Sequence, residues 1–281
     1  MNVGIIGLGL IGGSMAVDLR RRHFARTLLG VEAETVNAEA ALRLGLVDRV
    51  VPLEECVRSC ELLVLAIPVG AAIRLLPTLL DAVAGTRKVV IDVCSVKDCM
   101  CHAAEGHPGR GRYVATHPMA GTEYSGPWAA QPCLFDGRAC IVCDPEGADP
   151  DALELVERLY DTLGMRLIRM GARAHDMHAA YVSHISHITS FALALTVLDK
   201  ERDDKHIFDL ASGGFSSTVR LAKSNADMWV PILDRNRDNV LRVIDTYLEK
   251  MGLFRDAIAA GDDDAIRALM EEANRIKRII P

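Results

Sequence analysis

The chain has 281 residues, half of them apolar and a quarter charged, which fits a globular protein of one large or two modest domains and excludes a disordered one. Its 38 acidic against 32 basic residues leave a formal charge of −6, which argues against a nucleic-acid partner. Residues 62–73 and 2–17 are apolar but too short or too broken by Gly and Pro to span a membrane, and residues 2–17 lack the basic start and cleavage site of a secretory signal. No membrane partner and a cytoplasmic location are therefore expected, with the eight cysteines reduced.

Taken in order, residues 3–6, 27–31, 62–67, 88–93 and 113–116 are short runs rich in Val, Ile and Leu, bounded by Gly, Pro or charge. They read as strands of a parallel sheet covered by helices on both faces. After the first comes Gly7-Leu8-Gly9-Leu10-Ile11-Gly12, and residues 14–22 then read as a helix. Gly7 suits the tight turn, Gly9 the approach of a diphosphate and Gly12 close helix–strand packing, with Leu10 and Ile11 between them as further cofactor-binding candidates and the diphosphate facing the helix N–H groups. Glu32 ends the second strand 20 residues beyond Gly12, where a carboxylate can accept from the adenine ribose hydroxyls. With Glu34 nearby and no arginine after that strand, the predicted cofactor is NAD rather than NADP. Ile67 and Pro68 follow the next strand and would edge the nicotinamide side of the cleft, although Pro68 could equally just end the strand.

The segment His117-Pro118-Met119-Ala120-Gly121-Thr122-Glu123-Tyr124-Ser125-Gly126 follows a strand. His117 should stand at the carboxyl edge of the sheet, where a neutral imidazole can take a hydroxyl proton. Residues 138–143 and 165–170 read as later strands, with a helix at 151–163 between them. Cys140 and Cys143 have metal-like spacing, but in a strand they point to opposite faces, and no metal is expected. Beyond Gly171 only helices are predicted, at 175–198, 226–250 and 262–279, the last begun by acidic Asp262–Asp264. No formal charge lies between Asp176 and Asp199, so that helix is read as the centre of a helical domain or a subunit interface. The fold class is thus an α/β Rossmann-type domain with a mostly parallel sheet over residues 1–171, then an all-α domain over 172–281.

The glycine loop, Asp92-Val93-Cys94-Ser95-Val96-Lys97, the His117 segment, Ser183-His184-Ile185-Ser186-His187, Gly213-Gly214-Phe215, Arg220-Leu221-Ala222-Lys223-Ser224 and Met228-Trp229 occur in this order. Together they resemble the prephenate/arogenate dehydrogenase family. The resemblance implies an NAD-dependent oxidative decarboxylation in tyrosine biosynthesis. A ring hydroxyl is oxidised, its proton goes to a base, and CO2 leaves as the ring becomes aromatic. It implies His117 as the catalytic proton acceptor with Ser95 beside it and the cofactor, and Arg220 as the clamp on a substrate carboxylate. It also places His187, Glu123, Gly213 and Trp229 at the substrate. For Glu123 an ordinary loop position, for Trp229 core packing and for His184 simple burial remain open.

Ser216 and Ser217 stand where some members have a lysine and an acidic residue, so no ionic link from that pair to Glu123 is expected. The end at Pro281 carries the expectation of no regulatory ACT domain and no fused chorismate mutase. The resemblance further implies a homodimer through the helical domain. Prephenate is preferred over arogenate as substrate. A β-hydroxyacid dehydrogenase using a helix lysine and a non-catalytic NAD-sensing module are the alternatives.

Overall fold

All seven apolar runs form strands. In the computed structural model, which describes residues 1–202 and 206–279, eight strands make one sheet: β1 (Asn2–Ile6), β2 (Thr27–Val31), β3 (Arg49–Val50), β4 (Leu62–Leu65), β5 (Val89–Asp92), β6 (Tyr113–Pro118), β7 (Ala139–Cys143) and β8 (Arg166–Met170). The order is β3-β2-β1-β4-β5-β6-β7-β8. The first six are parallel, β7 runs antiparallel to β6, and β8 is parallel to β7. Order 3-2-1-4-5-6 is that of a dinucleotide-binding sheet, with the crevice at the switch between β1 and β4. β3, with two residues, has no apolar run to announce it.

Helices α1 (Leu10–Arg21), α2 (Thr35–Arg43), α3 (Leu53–Ser59), α4 (Val69–Val83), α5 (Asp98–Ala104) and α6 (Pro150–Thr162) alternate with the strands. Alternate residues of a strand serve opposite faces. Leu63 and Leu65 of β4 join α3, α4 and α5 in one core, whereas Leu62 and Val64 join α1 and α6 in the other. Cys140 and Cys143 divide between these two cores, as the strand geometry predicts. β6 runs two residues past the expected end because Thr116, His117 and Pro118 pair with Val142, Ile141 and Cys140 of β7. His117 therefore lies within the strand's last turn of pleat rather than in the following loop.

Then come α7 (Ala172–Ala179), a π-helical turn over Ala180–His184, α8 (Ile185–Glu201), α9 (Gly213–Thr218) and α10 (Ala226–Arg235). α7 to α8 is one continuous helical stretch, longer than expected, and by length and apolarity alone it could cross a membrane, which corrects the reading of the sequence on that point. Burial separates its two ends. His175, Asp176, Ala179, Ala180 and His184 are buried, but in α8 only Ser190 is, while Val182, Leu195 and Leu198 are exposed. Of the two readings of this helix, the centre of a helical domain does not fit α8 within this chain.

The expected helix at 226–250 is broken at Asn236, and α11 (Arg237–Ala260) begins afresh there. α12 (Asp263–Ala273) starts where the acidic cluster predicts: the Asp262 carboxylate accepts from the Ala265 N–H at 2.9 Å. The chain forms two compact units, Met1–Asn236 and Arg237–Pro281, so the change of texture at Gly171 falls inside the first.

Candidate active site

The glycine loop joins β1 to α1 beside the switch point. Gly7 has φ +96°, a left-handed value that a side chain resists, and a Cβ there would overlap the Ala66 carbonyl oxygen. A Cβ on Gly12 would overlap the Gly7 carbonyl oxygen. Gly9 is different: its Cβ would meet only the Gly126 nitrogen, at 4.0 Å. Gly9 is also the N-cap of α1 and supplies no side-chain cap, so the first turn, with Leu10 and Ile11 half-buried, presents an uncapped positive end. Glu32 closes this cradle. Its carboxylate accepts from the Leu8 N–H at 3.0 Å and from the Ala33 and Glu34 N–H groups at 3.0 and 3.2 Å. Ile67 is half-buried beyond β4, and Pro68 is exposed as the N-cap of α4, three residues past the end of the strand. Space over Gly9, an uncapped helix start and a fixed carboxylate suit a diphosphate and a free ribose, and a 2′-phosphate would face the Glu32 charge. The residues present fit NAD.

His117, at the carboxyl end of β6, is buried. Its Nδ1 lies 2.8 Å from His175 Nε2, and His175 Nδ1 lies 2.8 Å from Asp176 Oδ1. Asp176 in turn accepts from the Lys97 and Asp98 N–H groups at 2.7 and 2.9 Å. Burial, followed by His175, Lys97 and His184 nearby, pushes the His117 pKa well below the ordinary histidine value. His117 is therefore neutral at physiological pH and able to accept a proton.

Behind it, the fully buried Lys97 ammonium pairs with Asp92 and donates to the Thr116 carbonyl at 2.7 Å. Burial works to lower the Lys97 pKa, but Asp92 and neighbouring groups outweigh it, and the net shift is upward. Tyr113 donates to Asp92 at 2.6 Å, and Tyr160 to the Thr116 hydroxyl at 2.6 Å. Ser95 is half-buried in the turn between β5 and α5, two residues before Lys97.

A second group of side chains surrounds Trp229. Its ring stacks on His187 at 3.6 Å between centroids and meets His184 edge-on at 5.8 Å. His187 Nδ1–H donates to the Ser183 carbonyl at 3.1 Å, leaving Nε2 as its free nitrogen. Asn236 donates to the Asp176 carbonyl at 2.7 Å and to His184 Nδ1 at 3.2 Å, linking this group to the His175–Asp176 pair. Burial lowers the His184 pKa to about 4 and that of His187 in the same direction. Trp229 is itself buried, and its indole N–H has no hydrogen-bond partner among the described residues.

Arg220, in the short 3-10 turn after α9, donates to Glu123 Oε2 at 3.0 Å. The Glu123 N–H, with Arg220 and Lys223, holds the Glu123 carboxyl below the usual range. Glu123 thus has an ionic link to this helical segment, supplied by Arg220 and not by positions 216 and 217. Gly213 starts α9 with open space at its Cβ.

The sequence reading assigned no role to His175, Asp176, Lys97, Asp92 or Asn236. For His175 and Asp176 the visible signal is an ionisable pair immediately before an otherwise uncharged run, and Asp92 and Lys97 bound the motif that contains Ser95. Among the described residues no cluster of His, Cys, Asp or Glu is placed to hold a metal.

Residues 15–169 match the family described as prephenate dehydrogenase, nucleotide-binding domain, and residues 171–272 match prephenate dehydrogenase, dimerization domain. The chain is 28% identical over 279 residues to the prephenate dehydrogenase of Bacillus subtilis, covering 99% of this chain and 75% of that one. It is 27% identical to the cyclohexadienyl dehydrogenase of Zymomonas mobilis, covering 98% and 94%. Prephenate dehydrogenase from Aquifex aeolicus, solved with hydroxyphenyl propionate and NAD+, superposes with a TM-score of 0.87 at 28% identity, over 99% of this chain and 97% of that one. Arogenate dehydrogenase from Synechocystis gives a TM-score of 0.76 at 26% identity over the whole of both chains. A nucleotide cradle and a buried neutral histidine on one sheet edge, with both family domains matched in order, make this chain a member of the prephenate dehydrogenase family.

Proposed function

We propose that this enzyme oxidatively decarboxylates prephenate to 4-hydroxyphenylpyruvate with NAD+, in tyrosine biosynthesis. The observation that carries the reading is His117: buried, neutral, and at the carboxyl end of a strand two places from β4, which borders the nucleotide crevice. Gly7, Gly9, Leu10, Ile11, Gly12, Glu32, Ile67, Pro68 and Ser95 would hold NAD+, which when bound accepts the hydride from the ring carbon bearing the hydroxyl. His117 takes the hydroxyl proton at Nε2, with Ser95 beside it to orient the hydroxyl. Arg220 exchanges part of its Glu123 contact for a substrate carboxylate, a fork-to-carboxylate pairing that Lys would serve less well. His187, Trp229 and Gly213 line the remainder of the substrate site. Aromatisation supplies most of the driving force, leaving the chain to orient the ring and remove one proton.

The Z. mobilis and Synechocystis relatives favour arogenate as the second reading, since one is named for cyclohexadienyl substrates and the other for arogenate. A homodimer accords with the exposed Val182, Leu195 and Leu198 on one helix and with the dimerization-domain match. A nucleotide-binding part up to Gly171 and a dimerization part beyond it accord with the bounds of the two family matches. Eight free cysteines accord with a cytoplasmic location. The test is NADH formation by the purified protein, given NAD+ with prephenate or with arogenate, and NADP+ in parallel. Faster turnover of prephenate with NAD+ is expected. Activity with arogenate alone would transfer the assignment to the second reading, and silence with both would overturn it.

A further inference from the structure

His117 touches no carboxylate directly, yet a carboxylate dictates which of its nitrogens carries the proton. Asp176 is buried and each of its two carboxyl oxygens accepts from a backbone N–H group, so towards His175 it serves as acceptor. His175 must then carry its proton on Nδ1, which leaves Nε2 as an acceptor. His117, 2.8 Å from that Nε2, must in turn donate from Nδ1. The polarity of this chain of hydrogen bonds leaves a lone pair on His117 Nε2, the nitrogen not engaged with His175. We propose that His175 and Asp176 are positioning residues that hold His117 in the Nδ1–H tautomer, so that Nε2 is the base for the substrate hydroxyl.

The step balances simply. The hydroxyl proton bonds to Nε2 of neutral His117, and the O–H pair becomes the C=O bond as hydride is given up to NAD+. The imidazolium so formed keeps its Nδ1–H bond to His175, and the Asp176 carboxylate lies one ring away to offset the charge. After CO2 leaves with its bonding pair returned to the ring, the phenolate recovers the proton from His117. Lys97 contributes twice through separate atoms. Its N–H fixes Asp176, and its ammonium, paired with Asp92, fixes the Thr116 carbonyl next to His117. Asn236 pins the same stretch of backbone through the Asp176 carbonyl.

The inference rests on the proposed function for its role in turnover, but the tautomer can be read without substrate. Histidine-selective ¹⁵N labelling of the intact protein, with the His117→Asn and His175→Phe variants used to assign signals, should show both His117 and His175 protonated at Nδ1 at neutral pH. Asp176→Asn should move the His117 proton to Nε2, because an amide can donate to His175 and reverse the chain. Its kcat should fall by about 10²- to 10⁴-fold, with the KM for prephenate nearly unchanged. Asp176→Asn also disturbs the contacts with the Lys97 and Asp98 N–H groups and could fail to fold. His175→Phe spares those contacts and should show the same loss of kcat. His175→Gln can accept from His117 and donate to Asp176, and should recover at least about tenfold of that loss. An Nε2–H tautomer in the wild-type protein would overturn the inference, as would kcat within about threefold of wild type in folded His175→Phe. Wild-type protein that turns over neither substrate, while showing Nδ1–H at His117, would overturn the proposed function and leave the tautomer assignment standing.

Discussion

Replacing Gly9 or Gly12 by alanine adds the same single methyl three residues apart, with opposite expected effects on stability. Gly9 sits at φ −76° and ψ −159°, extended values that any residue adopts, and its new methyl would have nothing closer than the Gly126 nitrogen at 4.0 Å. Gly9→Ala should therefore change unfolding free energy by no more than about 0.5 kcal/mol. The methyl would fill the space over the first turn of α1 that a diphosphate must enter. Losing two charge-assisted hydrogen bonds there, at about 1.5 kcal/mol each, predicts roughly a hundredfold weaker NAD+ binding. Gly12→Ala drives its methyl onto the Gly7 carbonyl oxygen, with Ile5 Cγ2 and Ala66 Cβ at 3.0 and 3.1 Å. Backbone cannot yield as a flexible side chain does, so about 1–3 kcal/mol of stability should be lost along with NAD+ affinity. Thermal melting without cofactor and calorimetric titration with NAD+ separate the two quantities. Undiminished NAD+ binding by Gly9→Ala would refute the placement of the diphosphate over Gly9, and an unchanged melting temperature for Gly12→Ala would refute the packing argument.

His117→Asn should lower kcat by about 10²- to 10⁴-fold while NAD+ binding, followed by titration, stays intact. Arg220→Ala should raise the KM for prephenate by about 10- to 100-fold, through loss of a charged hydrogen-bonding partner, with a smaller effect on kcat; steady-state kinetics that show neither change would remove it from substrate binding. Acid should destabilise the protein. His184, His117 and His187 all have pKa values lowered by burial, so the unfolded chain binds protons more readily, and stability is full above about pH 6.5 and declines as pH falls. For His184, lowered to about 4, the loss reaches about 3 kcal/mol by that pH. Urea midpoints that stay level between pH 7.5 and 4.5 would contradict this. Lys97→Met should cost about 3–5 kcal/mol by urea unfolding, because it leaves the Asp92 charge buried without its cation.

The sheet was legible because each buried parallel strand must be apolar on both faces, so β1, β2, β4 and β5 are uninterrupted runs. The glycine loop was legible because two of its three glycines are imposed by backbone crowding. What escaped depends on contacts between distant segments. The end of β6 is set by pairing with β7, and the break at Asn236 comes with hydrogen bonds that this side chain sends back to Asp176 and His184. Local pattern contains neither. In the site, His117 could be picked out by its place after a strand, but its partners could not, since His175 is 58 residues further on and pairs by tertiary placement alone. The exposure of α8 stayed between two readings for a different reason: an apolar helix looks the same in sequence whether its cover comes from its own chain or from another.

The reversal of direction at β7 has a consequence for how such an enzyme can change its substrate. Because Pro118 pairs with Cys140, the connection over residues 119–138 leaves and re-enters the sheet on the edge that carries His117. It contains Glu123, which Arg220 holds. The later part of this segment is tied to α1 through Gln131 and Cys133 and to the core through Phe135, whereas drift within residues 120–125, around Glu123, need not disturb strand register. Selection for a new substrate has there a stretch of chain on which it can act while the sheet, the nucleotide cradle and the buried ion pair stay as they are. Libraries confined to residues 120–125 should accordingly vary specificity at little cost in folded yield.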